Sequence, residues 1–218
     1  GLVGMIQGGG NDVGVRLVRH PAIAAGAFTG STRGGAALQA EASARPRPIP
    51  FYGELGSINP VIALPAALAA KGSELAAMLA GSITLGCGQF CTSPGVIVLF
   101  EGAESEAFVA QLRSGLVAQQ PHAMLTPGMR GALDAGVAHL LESGAQALVH
   151  EPGTVTAPRP FLAQVQAAEF IARPALREEV FGPASLIVWV DSVAQALQVL
   201  QAVGGSLTVT LWDAETET

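Results

Sequence analysis

Short apolar runs alternate with longer Ala- and Leu-rich segments along the chain, and this alternation limits the fold more than any other feature. A run of four or five apolar residues suits a strand that is buried on both faces, whereas the longer segments repeat apolar residues at helical spacing. Strands that alternate with helices form mostly parallel sheets covered by helices. The sequence therefore predicts an α/β fold with mostly parallel sheets and flanking helices.

The individual elements follow from the same pattern. Strands are predicted at residues 2–6, 24–28, 49–52, 61–64, 96–100, 147–149, 186–190 and 207–211. Helices are predicted at residues 12–19, 32–43, 66–85, 104–118, 127–142 and 192–203. A short side-chain oxygen at a helix start can accept from a free first-turn amide, so the predicted N-caps are Asn11 or Asp12, Ser31 and Ser192.

Composition excludes several classes of protein. The chain has 218 residues, of which 50% are hydrophobic and 13% charged, and its formal net charge is −6. No apolar run is long enough to span a bilayer, and no basic stripe indicates a nucleic-acid partner. Two cysteines cannot form a disulfide framework, and the first residues do not resemble a signal peptide, so we expect a cytoplasmic protein.

An apolar run that ends in Gly30-Ser31 is followed directly by a helical pattern. A strand, a tight turn and a helix N-terminus present free amides and the positive end of the helix dipole, which suits a phosphate group. The same residues also fit an ordinary turn in which Ser31 caps the helix, because the spacing is not the full dinucleotide-binding fingerprint. Taken alone, this segment favours the ordinary turn.

Glu54 stands between glycines at the end of a predicted strand. Glycine on both sides lets other backbone approach closely, so the carboxylate could face a cleft and act as a base. The alternative is a carboxylate in water on an ordinary turn. The residues by themselves favour that alternative.

Cys91 lies between a long predicted helix and the predicted strand 96–100. An exposed turn at this position would let a thiolate reach a substrate, although nucleophilic use requires an activating environment. Cys87 is predicted to be a small buried hydrophobe. Because none of the four histidines pairs with these cysteines at metal-ligand spacing, no metal site is predicted.

Glu178-Glu179 is followed at once by Val-Phe-Gly-Pro, ahead of the predicted strand 186–190. A pair of glutamates is usually solvated. Here the sequence predicts a carboxylate and the ring of Phe181 on one rigid turn. Such a turn could contact a sugar hydroxyl and a flat heterocycle.

The four segments occur in a fixed order, namely Phe-Thr-Gly-Ser, Glu-Leu-Gly-Ser-x-Asn-Pro, Gly-Gln-x-Cys-Thr and Glu-Glu-Val-Phe-Gly-Pro. This succession resembles the NAD(P)-dependent aldehyde dehydrogenase superfamily, from about residue 1 to the last predicted strand. The separation of Glu54 from Cys91 is also close to that in the family. Residues 51–61 further resemble the bacterial α-ketoglutaric semialdehyde (2,5-dioxovalerate) dehydrogenases.

The resemblance implies a role for each matching position. Cys91 corresponds to the nucleophile, which forms a thiohemiacetal and then a thioester with the aldehyde substrate. Glu54 corresponds to the general base that activates water for thioester hydrolysis. The remaining matching positions are expected to bind NAD or NADP: Gly30, Ser31, Gly35, Leu55, Glu179 and Phe181.

The resemblance also implies a domain organisation. Residues 1–53 correspond to the end of a Rossmann-like NAD(P)-binding domain, and residues 54–218 to a catalytic thiol domain truncated at its C-terminal end. The oxyanion-stabilising Asn of the family lies upstream of these segments, so we expect this fragment to have little or no activity. The full-length parent is expected to be a homo-oligomer that oxidises a small aldehyde, such as the semialdehyde 2,5-dioxopentanoate. Ser57 stands where many relatives have a second glycine.

Two other functions remain open. Cys91 could serve a cofactor-independent thiol esterase or acyl transferase, but hydrolysis alone needs neither Glu179 nor Phe181. The chain could also be a non-catalytic packing or assembly domain. The presence of both Cys91 and Glu54 argues against that interpretation for a full-length parent.

Overall fold

The computed structural model describes residues 2–8 and 10–213, and the chain divides into two compact units. The first unit is Gly1–Gly56 and the second is Ser57–Thr218. The domain boundary expected after Gly53 lies slightly before this division, and the assignment of the units as domains stays a prediction. Among the described helices, none has the length and apolar character needed to cross a bilayer.

The first unit contains two helices and a pair of parallel strands. Its elements are α1 (Asp12–Arg19), β1 (Gly26–Gly30), α2 (Thr32–Ser43) and β2 (Phe51–Leu55). The Arg19 guanidinium donates to the Glu41 carboxylate, which joins α1 to α2. Because β1 and β2 are parallel, both strands end at the same edge, with Gly30 opposite Leu55.

The second unit is built on a six-stranded sheet in the order β5-β6-β7-β4-β3-β8. The strands are β3 (Val61–Ala63), β4 (Val96–Phe100), β5 (Gln146–His150), β6 (Phe161–Gln166), β7 (Ala184–Val190) and β8 (Thr210–Trp212). Only the pairing of β5 with β6 is antiparallel among the described strands. The predicted α/β fold with mostly parallel sheets is confirmed.

Helices cover this sheet on both faces. They are α3 (Pro65–Thr84), α4 (Ala103–Ala118), α5 (Pro127–Glu142), α6 (Ala167–Ala172) and α7 (Val193–Val203). Side chains alternate between the faces of a strand, so Ile97 packs with α3 and α4, while Val96 and Val98 pack with α5, α6 and α7. Burial on both faces explains why the central strands are continuous apolar runs.

Most of the predicted elements are present. The helices at 12–19, 32–43 and 127–142 and the strand at 96–100 have the predicted bounds. The other predicted helices differ by one residue, at one end or, for 66–85, at both ends. The remaining strands from 24–28 onward are present with shifted ends. The elements that were not predicted are β6, the short helix α6 and the 3₁₀ helices Leu85–Gly88 and Pro174–Arg177.

The predicted strand at residues 2–6 is wrong. These residues have no strand structure, and the side chains of Leu2, Val3, Met5 and Ile6 are exposed. An apolar run becomes a strand only when another strand accepts its backbone hydrogen bonds. Within the described residues, none pairs with 2–6.

Helix caps follow the sequence in two of three cases. Ser31 accepts from Gly34 N–H at the start of α2, and Ser192 accepts from Gln195 N–H at the start of α7, both at 3.2 Å. Asn11 precedes α1, but its side chain makes no capping hydrogen bond. Thr126, which was not predicted, caps α5 through Met129 N–H.

Candidate active site

In the first unit, the predicted cofactor residues gather at the edge where the parallel strands end. Gly30 is the last residue of β1, and Ser31 caps α2 immediately after it. Leu55 ends β2 and pairs with Gly30, while Gly56 N–H donates to Gly30 O at 3.4 Å. The N-terminal amides of α2 therefore open at this edge, which is the arrangement that binds a phosphate group.

Gly35 is the point of closest packing at this edge. A Cβ atom at residue 35 would overlap the methyl groups of Leu55. A larger residue at position 35 would force the Leu55 side chain at the end of β2 to move. This agrees with the expectation that the position after the phosphate turn favours a small residue.

Glu54 is exposed and lies inside β2, directly opposite Thr29 of β1. The sequence placed it on a turn, whereas the structure continues the strand through Leu55. The carboxylate is therefore held on extended backbone next to the strand end. Its accessibility is compatible with a base that exchanges protons with water.

In the second unit, Cys91 lies on the turn between a 3₁₀ helix (Leu85–Gly88) and β4. The thiol is exposed, as expected for a nucleophile that must reach a substrate. Backbone and side-chain bonds hold this turn on both sides: Ser93 N–H donates to Phe90 O at 3.0 Å, and Ser185 Oγ donates to Pro94 O. Cys91 is thus an exposed thiol on an anchored turn.

Cys87 has the opposite environment, as predicted. It is 4% exposed, and its Sγ donates to the carbonyl of His122 at 3.3 Å. Burial raises the pKa of the Cys87 thiol, while the charge of Arg130 partly opposes that rise. The Cys87 thiol therefore stays protonated at neutral pH.

The thiol turn contacts the Glu-Glu-Val-Phe-Gly-Pro segment directly. Gly88 has φ +64, and a Cβ atom there would overlap the backbone of Gly182 and Pro183. Only glycine meets both requirements, because other residues rarely adopt this φ and all carry a Cβ. The structure therefore joins two motifs that are about ninety positions apart in sequence.

Glu179 and Phe181 lie on the loop that enters β7. Glu179 is accessible at the surface. Nearby protein atoms partly desolvate its carboxyl group, which raises the pKa of Glu179. The hydrogen bond from the backbone N–H of Ser57 opposes this rise. Phe181 is half-buried. Val180 and Gly182 of this loop contact Gly136 and Leu133 of α5, respectively. Helix α5 therefore packs against the loop.

The sequence did not indicate any role for Ser57 and Asn59. Both are buried, and Asn59 Nδ2 donates to the backbone carbonyls of Cys91 and Ser93 at 2.8 and 2.9 Å. The available signal was an Asn before a Pro next to a glycine-rich turn, since Asn tolerates left-handed backbone. In the part of the chain that the structure describes, no group of three or more metal-ligating side chains is present.

Comparison with known proteins gives a consistent result. The profile of the "Aldehyde dehydrogenase family" matches residues 1–218. The chain is 42% identical over 217 residues to "Alpha-ketoglutaric semialdehyde dehydrogenase 2" of Azospirillum brasilense, covering 97% of this chain and 41% of that protein. It is 39% identical over 206 residues to "Alpha-ketoglutaric semialdehyde dehydrogenase" of Acinetobacter baylyi, covering 93% and 39% respectively.

Among solved structures, the chain is similar to an NAD-dependent benzaldehyde dehydrogenase from Corynebacterium glutamicum. The TM-score is 0.80 at 21% identity, over 95% of this chain and 46% of that one. At this identity the likeness concerns the fold. The chain spans about two fifths of the length of the curated relatives it matches.

Proposed function

Because this chain belongs to the aldehyde dehydrogenase family, we propose that it carries the nucleophile, the general base and part of the cofactor site of an NAD(P)-dependent aldehyde dehydrogenase. The observation that carries the proposal is the contact between the Cys91 turn and the Glu179–Phe181 loop through Gly88 and Gly182. Simple hydrolysis does not require that a loop with a carboxylate and an aromatic ring pack against the segment that leads into the thiol turn. That packing suits a reaction in which a bound nucleotide lies next to the covalent intermediate.

Cys91 is proposed to act as the nucleophile. Its Sγ adds to the carbonyl carbon of the aldehyde and forms a C–S bond, while the carbonyl oxygen takes up the electron pair. Oxidation of the substrate carbon then leaves an acyl group bound to Cys91 as a thioester. The exposure of the Cys91 thiol supports this role.

Glu54 is proposed to act as the general base for release of the product. Its carboxylate takes a proton from water, the resulting hydroxide attacks the acyl carbon, and the C–S bond breaks to return the Cys91 thiolate. The support is the accessible carboxylate at the end of β2.

The residues at the strand edge of the first unit fit a nucleotide cofactor. The capped N-terminus of α2, with Gly35 packed under Leu55, leaves backbone amides for a pyrophosphate. Glu179 and Phe181 would hold the nicotinamide ribose and ring. NAD(P)+, when bound, accepts a hydride from the substrate carbon. Separate assays with NAD+ and with NADP+ distinguish the two cofactors.

The first test is aldehyde-dependent reduction of NAD(P)+ by the protein at the full length that its gene encodes. The Cys91→Ala variant should lose activity, whereas Cys87→Ala, which removes the neighbouring thiol, should retain it. Aldehyde turnover by Cys91→Ala would contradict the proposal. Hydrolysis of an activated ester by the wild type, with no nucleotide-dependent aldehyde oxidation, would favour a thiol esterase instead.

A semialdehyde that carries a carboxylate, such as 2,5-dioxopentanoate, is the proposed substrate. The support is the naming of the two relatives at 42% and 39% identity. The test compares kcat/KM for this compound and for pentanal, which has the same chain length without the keto acid. Equal values would contradict the assignment.

Two further proposals concern the intact protein. Free cysteines at positions 87 and 91 are compatible with a reducing cytoplasm. Exposed apolar residues such as Leu197 and Leu211 are compatible with a homo-oligomer. Light scattering on the full-length protein measures the assembly, and a monomeric mass at working concentration would contradict it.

A further inference from the structure

A buried polar pair, Ser57 and Asn59, lies beneath the Cys91 turn in the second unit. The two residues are 7% and 2% exposed. Asn59 has φ +43, in the left-handed region where Asn is one of the few common non-glycine residues. The orientation of the buried Asn59 side chain is therefore determined by its hydrogen bonds.

All four hydrogen-bonding positions of the Asn59 amide are used. Nδ2 donates to Cys91 O at 2.8 Å and to Ser93 O at 2.9 Å. Oδ1 accepts from Ser57 Oγ at 2.7 Å and from Thr208 N–H at 3.2 Å. A flipped amide would place its oxygen against two carbonyls and its NH₂ against a backbone N–H, so the partners determine the orientation.

Ser57 orients this amide. Its hydroxyl accepts from Leu207 N–H at 2.9 Å, which directs the hydroxyl proton towards Asn59 Oδ1. The backbone N–H of the same residue faces the Glu179 carboxyl. Ser57 and Asn59 therefore connect the thiol turn, the Glu179 loop and the segment before β8.

The carbonyl held by Asn59 belongs to the nucleophilic residue itself. The thiol on an exposed turn can rotate about its side-chain bonds. The position of the backbone of residue 91 determines which positions Sγ can reach by that rotation. Reaction rates are sensitive to displacements of about 1 Å at the reacting atoms. Fixing the Cys91 peptide therefore limits where Sγ can lie.

We propose that Asn59, oriented by Ser57, is a positioning residue that holds the Cys91 backbone for attack on the aldehyde. This inference rests on the proposed function, in which Cys91 is the nucleophile. It concerns two residues that contact neither substrate nor cofactor in that mechanism. Ser57 gives this chain a hydroxyl at a position where glycine would provide none.

The main test is Asn59→Asp in the full-length protein. Aspartate keeps the size and the acceptor oxygens but removes both donors to the thiol turn. We expect kcat to fall about 100-fold, because the reacting atom is misplaced, while KM changes less than about threefold. An unchanged kcat in a folded variant would overturn the proposal.

The matched control is Ser185→Ala. This variant removes another buried hydrogen bond to the same turn, from Ser185 Oγ to Pro94 O, without touching the Cys91 carbonyl. We expect a lower thermal midpoint with kcat retained. If Ser185→Ala loses kcat as severely as Asn59→Asp, general loosening of the turn explains both and the proposal fails.

Ser57→Gly provides a second measurement, which stands even if Asn59→Asp does not fold. We expect kcat to fall about tenfold, and the double variant to be no slower than Asn59→Asp alone, because Ser57 acts through Asn59. Wild-type kcat in Ser57→Gly would contradict the proposal that Ser57 orients Asn59. Additive losses of kcat in the double variant would contradict it as well, because the two residues would then act independently. Turnover by Cys91→Ala would instead reject the proposed function, so the two failures are distinguishable.

Discussion

Cys87 and Cys91 show how strongly position in the fold changes one residue type. Cys87 is buried, donates to His122 O and has a raised thiol pKa, because burial disfavours the thiolate. Cys91, four positions later, is exposed. Alkylating reagents require both access and thiolate, so the two cysteines should differ in reactivity.

We therefore expect iodoacetamide at neutral pH to label Cys91 at least about tenfold faster than Cys87 in the folded protein. Peptide mass spectrometry separates the two sites. In denaturant the rates should converge, which serves as the control. Equal rates in the folded protein would show that Cys87 is accessible and that the buried assignment is wrong.

Glu179 predicts a pH dependence of stability. Its pKa is raised by desolvation above the ordinary value of 4.5, so the folded protein binds the proton more tightly than the unfolded chain. The contribution of Glu179 to the free energy of unfolding therefore falls as pH rises above about 4.5, because the unfolded chain loses that proton first. The ionised carboxylate is destabilising at neutral pH.

We expect Glu179→Gln to unfold at a higher denaturant concentration than the wild type at pH 7, and the difference to shrink as pH falls below about 4.5. Urea titrations at several pH values measure this. Glu178→Gln, an exposed neighbour with the same change of charge, is the control. An equal effect of both variants at every pH would contradict the assignment.

Among the elements, the 3₁₀ helix before Cys91 is the most constrained. Gly86, Cys87 and Gly88 all have positive φ, at 55°, 60° and 64°. A left-handed turn of this kind reverses the chain after α3 and brings Gly88 against Gly182. Strained backbone of this type is often found at functional sites.

Gly88→Ala should lower the free energy of unfolding by about 2–4 kcal/mol, since it combines an unfavourable φ with backbone overlap. Gly81→Ala is the matched control, because Gly81 lies in α3 with nothing within 4 Å of the added methyl group. That variant should raise stability by about 0.5–1 kcal/mol. Urea unfolding followed by tryptophan fluorescence compares them, and a neutral Gly88→Ala would contradict the close approach.

For the whole molecule, the two units differ in how much apolar surface they bury. Among the described residues of Gly1–Gly56, the buried hydrophobic side chains are Val18 and Ala42. The second unit contains two large clusters, one on each face of its sheet. Buried apolar area is the main source of stability, so opening should cost less in the first unit.

We expect amide hydrogen exchange in peptides from β1 and α2 to be at least about tenfold faster than in peptides from β4 and β7. Mass spectrometry of the 218-residue chain measures both sets together. The same peptides from the denatured chain give the fully exchanged reference. Equal protection of all four elements would contradict a weaker first unit.

The sequence by itself determined the fold class and most elements. The central strands and the long helices bury whole apolar runs or faces, and such patterns are visible in the residue order. The apolar pattern predicted a strand at residues 2–6 that is absent, because strand formation also requires a partner strand. Among the described strands, none pairs with this run. The pattern also missed β6, because that strand directly follows a Pro-rich connector.

The motif residues Cys91, Glu54, Glu179 and Phe181 were also identifiable from the sequence, through their order along the chain. Only the tertiary structure brought the Cys91 turn against the Glu179 loop and placed Asn59 beneath it. The physical reason is that hydrogen bonds between distant segments depend on how the chain returns to the sheet, which no local pattern encodes. Asn59 and Cys91 meet because β3 and β4 are neighbouring strands of one sheet, so the segments that lead into them lie side by side.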